Sequence, residues 1–394
     1  MGNTQGIINL CNTYVLNTYT RTPVVFVRGK GSYLWDEEGK KYLDFFPGWA
    51  VSGLGHCHKR VVDAVNRQIK DIIHVSNNYY SKPQAQLAER LSKSSFGGKV
   101  FFCNSGAEAN ESAIKLARAY GSDEGRYKII TMEKSFHGRT LATLTATGQE
   151  KVKKGFAPLP EGFVHVPFND IDAVKEAIDD ITVAVMIEPI QGEGGINIAD
   201  EDYMKELRTI CNAKNILLIF DEVQTGMGRS GKLFAYQHYN ILPDVMTLAK
   251  SLGGGLPIGA MVVADEFVDC LKPGMHASTF GGSPIVTAAA NAALDAIEKE
   301  KLLDNANKMG DYFFKQLSRL KRRYPKIINN IRHKALMIGI ELNIEGKEIV
   351  ERCLSKGLLI NCTQANILRI MPAITVKKSE INKAIKILSE VIAK

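Results

Sequence analysis

The chain has 394 residues, 45% hydrophobic and 23% charged, with a formal net charge of +8. Length and apolar content exclude a disordered or fibrous chain and allow one large core beside a smaller one. The basic residues are scattered, and the densest cluster, LKRRYPK at 320–326, reads as a solvated helix end rather than a nucleic-acid or membrane patch.

The N-terminal MGNTQGIINL has neither a basic leader nor a long apolar stretch, and Gly6 stands where a myristoylation signal needs Ser or Thr. No apolar run reaches membrane-spanning length. The seven cysteines form no CxxC pair, so they read as reduced, mostly buried thiols of a cytoplasmic protein. Within residues 1–45, VVFVRGKGSYLWDEEGKKYLDF predicts two short strands around a Gly/Asp-rich turn.

Through the middle, apolar runs alternate with helical patterns. Strands are predicted at 99–103, 127–132, 182–188, 216–221, 244–249 and 259–264. They are continuous rather than alternating, as in strands buried on both faces of a mostly parallel sheet. EANESAIKLARAY and DYMKELRTICNAK (202–214) predict helices between them, and Ala109, Ala113, Leu116, Ala117 and Tyr120 share one face. Further on come the helix SPIVTAAANAALDAIEKE, the strands ALMIGIEL and NILRIMPAI, and a closing helix SEINKAIKILSEVIAK. The expectation is an α/β protein. A large mostly parallel-sheet domain (46–275) is flanked by a smaller α+β unit built from 1–45 and 276–394.

Chemistry in such sheets gathers at the carboxyl ends of strands. After 99–103, Ser105 is placed to cap a helix whose free N–H groups form an anion site, as in an ordinary strand–turn–helix or a phosphate cradle. In SFHGRTLATLTATG, Phe136, His137 and Arg139 set a ring beside a guanidinium, which suits a flat cofactor and a carboxylate. Glu188 ends an apolar strand and needs a partner, with arginine the natural one; Glu193 follows in a Gly-rich loop. Asp221 ends the most hydrophobic run, so it must become neutral or find a cation. The glycines from Gly226 to Gly231 before Lys232 approach a P-loop, but Leu233 replaces the magnesium-binding Ser or Thr. Lys250 follows another apolar run, where desolvation would lower its pKa and make it a nucleophile and proton carrier. HASTFGGSP offers Ser278 and Thr279 ahead of a helix, and Arg369 lies alone in an apolar strand, wanting an anion. The His56/His58 pair has no third ligand at metal-binding spacing, so no metal site is expected.

Together and in this order, NSGAEANE, FHGRT, EPIQGEGG, DEVQTGMGRSG, LAKSLGGGLPIGA and STFGGSP resemble the class III pyridoxal-phosphate aminotransferases, whose fold is the aspartate-aminotransferase type (fold type I). The match runs from about residue 17 to residue 376, and the Asp221–Lys250 pair is its most specific part. YLDFFPGWAVSGLGHCHK and LRIMPAIT are most similar to the acetylornithine-type members.

The resemblance implies transfer of a δ-amino group from N-acetylornithine to 2-oxoglutarate in arginine biosynthesis, with succinyl-diaminopimelate as a second donor. Ornithine or 4-aminobutyrate aminotransfer is the alternative. It assigns pyridoxal 5'-phosphate to Lys250, Asp221, Gln224, Phe136, His137, Glu188 and the 105–107 turn. Thr279 would reach the phosphate from a neighbouring subunit, implying a homodimer with shared sites. Arg139 would bind the distal carboxylate of each substrate, Ser278 would be a further substrate contact, and Arg369 would bind the α-carboxylate of glutamate and 2-oxoglutarate, with Glu193 masking Arg369 when N-acetylornithine is bound. Three features depart from the family pattern: Ala107 replaces a common Thr, Trp49 a small aliphatic residue, and SNNYYSKPQ is unusually polar and aromatic. Trp49 and SNNYYSKPQ border the expected substrate entrance and bear on the acyl group.

Overall fold

The computed structural model describes residues 4–393. Met1–Asn3 and Lys394, the outer ends of the two terminal segments read above, lie outside the described residues.

The central sheet has seven strands in the order Lys99–Cys103, Gly259–Val263, Val245–Leu248, Leu217–Asp221, Thr182–Ile187, Lys128–Met132 and Phe163–Val166. From Val245–Leu248 outward to Phe163–Val166 every pairing is parallel, and Gly259–Val263 runs antiparallel to both neighbours. Six strands fall where the apolar runs predict them. The edge strand Phe163–Val166 was not anticipated, because FVHV is short and interrupted by His165.

The continuous runs follow from two-sided burial. Leu218 and Phe220 pack with Met204 and Leu207 of the helix Glu201–Lys214. Leu217 and Ile219, on the other face, pack with Ala113 and Ala117 of the helix Gly106–Gly121. One strand therefore feeds two cores, and no solvent-facing polar alternation is left in it.

The terminal segments form smaller sheets. Phe26–Lys30, Tyr33–Asp36 and Lys41–Asp44 are joined by Leu358–Leu359, so the two ends of the chain share one sheet. The N-terminal segment thus has three strands, not two, because the turn between Asp36 and Lys41 closes a second hairpin. A helix, Thr4–Tyr14, precedes them with no buried residue. The strands Ile328–Lys334, Met337–Leu342, Ile367–Ile370 and Asn361–Thr363 form an antiparallel sheet. The helix Leu302–Arg323 ends in Lys321, Arg322 and Arg323, as read for the basic cluster, with cations at the negative end of the helix dipole. The helix Pro284–Lys299 packs on Lys59–Asp71 and Lys82–Ser94. The closing helix, Lys378–Ile392, buries Ile381, Ala384, Leu388 and Ile392 in phase.

All seven cysteines are free, but only Cys103, Cys211 and Cys353 are buried, and Cys57 is exposed. His56 bonds Asp44 at 2.7 Å and His58 bonds Glu300 at 3.3 Å, so the histidine pair is spent on separate carboxylates.

Candidate active site

At the carboxyl edge of the parallel strands lies a cavity of about 470 Å³. Its walls include Ser105, Gly106, Ala107, Phe136, His137, Arg139, Glu188, Glu193, Asp221, Gln224 and Lys250. The fold brings them together because their strands run side by side: Asp221 pairs in register with Thr247, and Phe220 with Ile187. Each strand therefore releases its next residues at the same edge.

Asp221 is buried and held by three donors. His137 Nδ1 and Asn110 Nδ2 each lie 2.8 Å from its Oδ2, and the Val223 backbone N–H donates to Oδ1 at 3.0 Å. Asn110 Oδ1 in turn accepts from Thr247 Oγ1 at 2.6 Å. An ionised carboxylate has about four acceptor positions, so one on Asp221 stays open. The bond to Asp221 places a proton on His137 Nδ1, leaving its buried Nε2 without a partner.

Asn110 and Thr247 were missed in the sequence reading. Their signal was a lone polar residue inside an otherwise apolar helix face and strand, which reads equally well as a tolerated polar core position.

Lys250 begins a short 3-10 turn, Lys250–Gly253, directly after the Val245–Leu248 strand. Its φ of 45° lies in the left-handed region that non-glycine residues rarely occupy. Such outliers cluster where function over-determines the backbone. Among the described residues no group bonds its Nζ. Burial lowers its pKa from the ordinary lysine value, and Arg369 adds to that, against Glu193, Asp221 and Glu188.

Glu188 departs from expectation in its partner. No arginine reaches it; the backbone N–H groups of Phe136 and Gly192 donate to it at 2.9 and 3.1 Å. Two neutral donors only partly offset desolvation, and burial pushes its pKa up to about 7.

Ser105 caps the helix Gly106–Gly121, accepting from the Glu108 N–H at 3.2 Å. Gln224 is buried with Oε1 unpartnered. Arg139 is exposed, with its guanidinium 5.6 Å from the Phe136 ring centre.

Glu193 and Arg369 meet. Arg369 is fully buried, and its Nη1 lies 2.6 Å from Glu193 Oε1. Its Nε and Nη2 donate to Asn361 Oδ1 at 3.2 and 2.9 Å, and the Phe46 and Trp49 rings lie 4.8 and 5.7 Å away.

Ser278 and Thr279 are not brought to this cavity within one chain. They line a separate cleft beside Asn104 and His276, where Ser278 Oγ accepts from Asn104 Nδ2 at 3.3 Å and the Gly281 N–H at 3.1 Å. The near P-loop is spent on packing. Arg229 is buried and donates to the carbonyls of Leu336 and Pro372. Glu222 accepts from Ala235 N–H, Tyr236 N–H and Thr225 Oγ1 at 2.7, 2.7 and 3.0 Å. Glu222 is thus a structural anchor for the Ala235–His238 turn.

The family described as Aminotransferase class-III matches residues 14–392. The acetylornithine aminotransferase of Caldanaerobacter subterraneus subsp. tengcongensis is 52% identical, over 96% of this chain and 97% of its own. That of Methanocaldococcus jannaschii is 51% identical, over 98% and 97%. A solved Toxoplasma gondii ornithine aminotransferase, in which partial occupancy of PLP at the active site is described, superposes with a TM-score of 0.95 at 32% identity, over 99% of this chain and 94% of its own.

Proposed function

The chain belongs to the class III aminotransferases, and from that premise we propose that it moves the δ-amino group of N-acetylornithine to 2-oxoglutarate. The products are N-acetylglutamate 5-semialdehyde and glutamate, a step of arginine biosynthesis. The Caldanaerobacter and Methanocaldococcus relatives, both acetylornithine aminotransferases at more than half identity, support this donor over free ornithine, which the Toxoplasma likeness favours at 32%. Succinyl-diaminopimelate, which carries a second carboxylate beside its reacting amine, is a second donor.

The residues of the cavity fit pyridoxal 5'-phosphate. The capped helix N-terminus at Ser105–Ala107 offers N–H groups to a phosphate. The open acceptor position on Asp221 suits a cationic ring nitrogen, and the orphaned end of the Gln224 amide suits a ring oxygen. Lys250 offers an unbonded amine of lowered pKa to an aldehyde. Phe136 would lie on the ring, and Glu188 would border it through its contact with the Phe136 backbone. The coenzyme supplies an aldehyde that takes up the amino group and an electron-withdrawing ring.

The chain's own side chains do the rest. Asp221, fixed by His137, Asn110 and Val223, would hold a proton on the ring nitrogen. Lys250 Nζ would hold the coenzyme at rest, then take a proton from the reacting carbon of the donor and return one to that of the acceptor. Arg139 would bind the distal carboxylate of each substrate, and Arg369 the α-carboxylate of glutamate or 2-oxoglutarate.

The masked arginine supports a donor with one carboxylate, and the choice of N-acetylornithine among such donors rests on the relatives. A site that accepts both a dicarboxylate and a donor with one carboxylate must hide its second cation from the latter, and Glu193 lies 2.6 Å from Arg369. Because Ser278 and Thr279 stand outside their own chain's cavity, we assign them to the site of a second subunit in a homodimer. Exposed Ile69, Ile72, Ile73, Tyr79 and Tyr80 supply apolar surface for such a contact. Among the described residues no helix is long and apolar enough to cross a membrane, and we place the enzyme in the cytoplasm. A donor series with N-acetylornithine, ornithine and 4-aminobutyrate, each driving glutamate formation from 2-oxoglutarate, tests the assignment.

A further inference from the structure

Glu193 sits in a hairpin between the strands Ile190–Gln191 and Asn197–Ile198. Its carboxylate pairs with Arg369, but its backbone is held separately. The Glu193 carbonyl accepts from Thr363 Oγ1 at 2.6 Å and from Gln364 Nε2 at 3.0 Å. Both donors come from the Asn361–Thr363 strand and the turn after it, where Gln364 and Ala365 have φ of 50° and 63°. Two consecutive left-handed residues make the tight turn that returns the chain to Ile367–Ile370 and Arg369.

The hairpin backbone is also wedged. A Cβ at Gly192 would fall 1.7 Å from Gln224 Oε1, one at Gly194 2.8 Å from Gln191 Oε1, and one at Gly195 2.5 Å from Ile367 Cδ1. The backbone on both sides of Glu193 thus packs closely against Gln224, Gln191 and Ile367. At the other end of the pair, Asn361 holds two nitrogens of Arg369, leaving Nη1 to Glu193.

We propose that Asn361, Thr363 and Gln364 are positioning residues that clamp both ends of the Glu193–Arg369 pair, so that the gate opens by rotation of the Glu193 side chain alone. This rests on the gate reading above. When Glu193 swings away, Asn361 keeps the guanidinium oriented, and Nη1 meets the α-carboxylate of a dicarboxylic substrate. Thr363 and Gln364 hold the Glu193 backbone so that its carboxylate returns to the same place. One short strand and its turn therefore set how the enzyme divides its time between two substrate shapes.

Combining Thr363→Val with Gln364→Ala should loosen Glu193, weaken the masking of Arg369 and raise the kcat/KM ratio of glutamate to N-acetylornithine about three- to tenfold, the scale of one neutral hydrogen bond. Asn361→Ala should raise KM for glutamate and the dissociation constant of 2-oxoglutarate, read by calorimetry, by a similar about three- to tenfold factor, with KM for N-acetylornithine unmoved. Thr363→Ser, which keeps the hydroxyl, should retain the wild-type ratio. A purely structural role would shift both donors alike, and that result overturns the proposal. Amide hydrogen exchange of residues 192–195 tests the clamp independently of turnover. It should speed up in the double variant and not in Thr363→Ser; unchanged exchange in the double variant contradicts the clamp. If the wild-type enzyme used neither donor, the functional reading would fall, while the exchange measurement would still decide the clamp.

Discussion

Glu193 Oε1 lies 2.6 Å from Nη1 of Arg369, and the arginine is fully buried. Its guanidinium cannot be left unpaired at low cost, so whichever anion lies nearest will hold it. Glu193→Ala removes the resident anion and leaves the cation to substrate. The kcat/KM ratio of glutamate to N-acetylornithine should rise about ten- to a hundredfold, the worth of a hydrogen bond to a charged group. Steady-state rates with the two donors measure it, and an unchanged ratio would remove the gate.

On the proposed reading, His137 would act on the coenzyme through Asp221. Its Nδ1 lies 2.8 Å from Oδ2 inside a buried network that also includes Asn110 and Thr247. His137→Ala leaves the carboxylate one donor short. Titration of the variant with pyridoxal phosphate, followed by its visible absorption, should show affinity falling about ten- to a hundredfold. Wild-type affinity would mean that Val223 and Asn110 alone orient Asp221.

Glu222 answers to stability instead. Three donors converge on its carboxylate, and burial pushes its pKa up to about 7. Glu222→Gln replaces one acceptor oxygen with an amide that faces an N–H donor. Denaturant unfolding should show a loss of about 1–3 kcal/mol, the cost of an unsatisfied buried polar group. The donor preference should not change.

Much of this was legible before any coordinates. Lys250, Asp221 and Glu188 each end an apolar run, and a parallel sheet must bring such ends to one edge. The partners were harder to read. Glu188 asked for a cation and found two backbone N–H groups, because sequence reports side chains and not where main-chain donors point. Asn110 and Thr247 looked like tolerated polar residues until the fold put them next to Asp221. Thr279 sits outside its own chain's cavity, and only the family resemblance, not spacing along one chain, assigned it to a second subunit. The strand Phe163–Val166 escaped because an edge strand needs fewer apolar residues than a central one.

His238 gives the fold a pH dependence. Burial, helped by Lys334 and Lys232, pulls its pKa from 6.5 down to about 4, against its bond to the Ser230 carbonyl. Between those values the unfolded chain binds the extra proton and the native chain does not. The stability is therefore complete above pH 6.5 and is lost as pH falls through about 4. With partial exposure allowed for, the loss between pH 7 and pH 5 is about 1 kcal/mol. His238→Gln keeps a donor for Ser230 and should flatten this part of the profile, as read from unfolding midpoints at pH 7 and 5.

The most direct measurement is kcat/KM for N-acetylornithine, ornithine and 4-aminobutyrate, each with 2-oxoglutarate as acceptor. N-acetylornithine should have the highest value, with glutamate and the semialdehyde appearing in equal amounts. A higher value for free ornithine or 4-aminobutyrate would contradict the assignment.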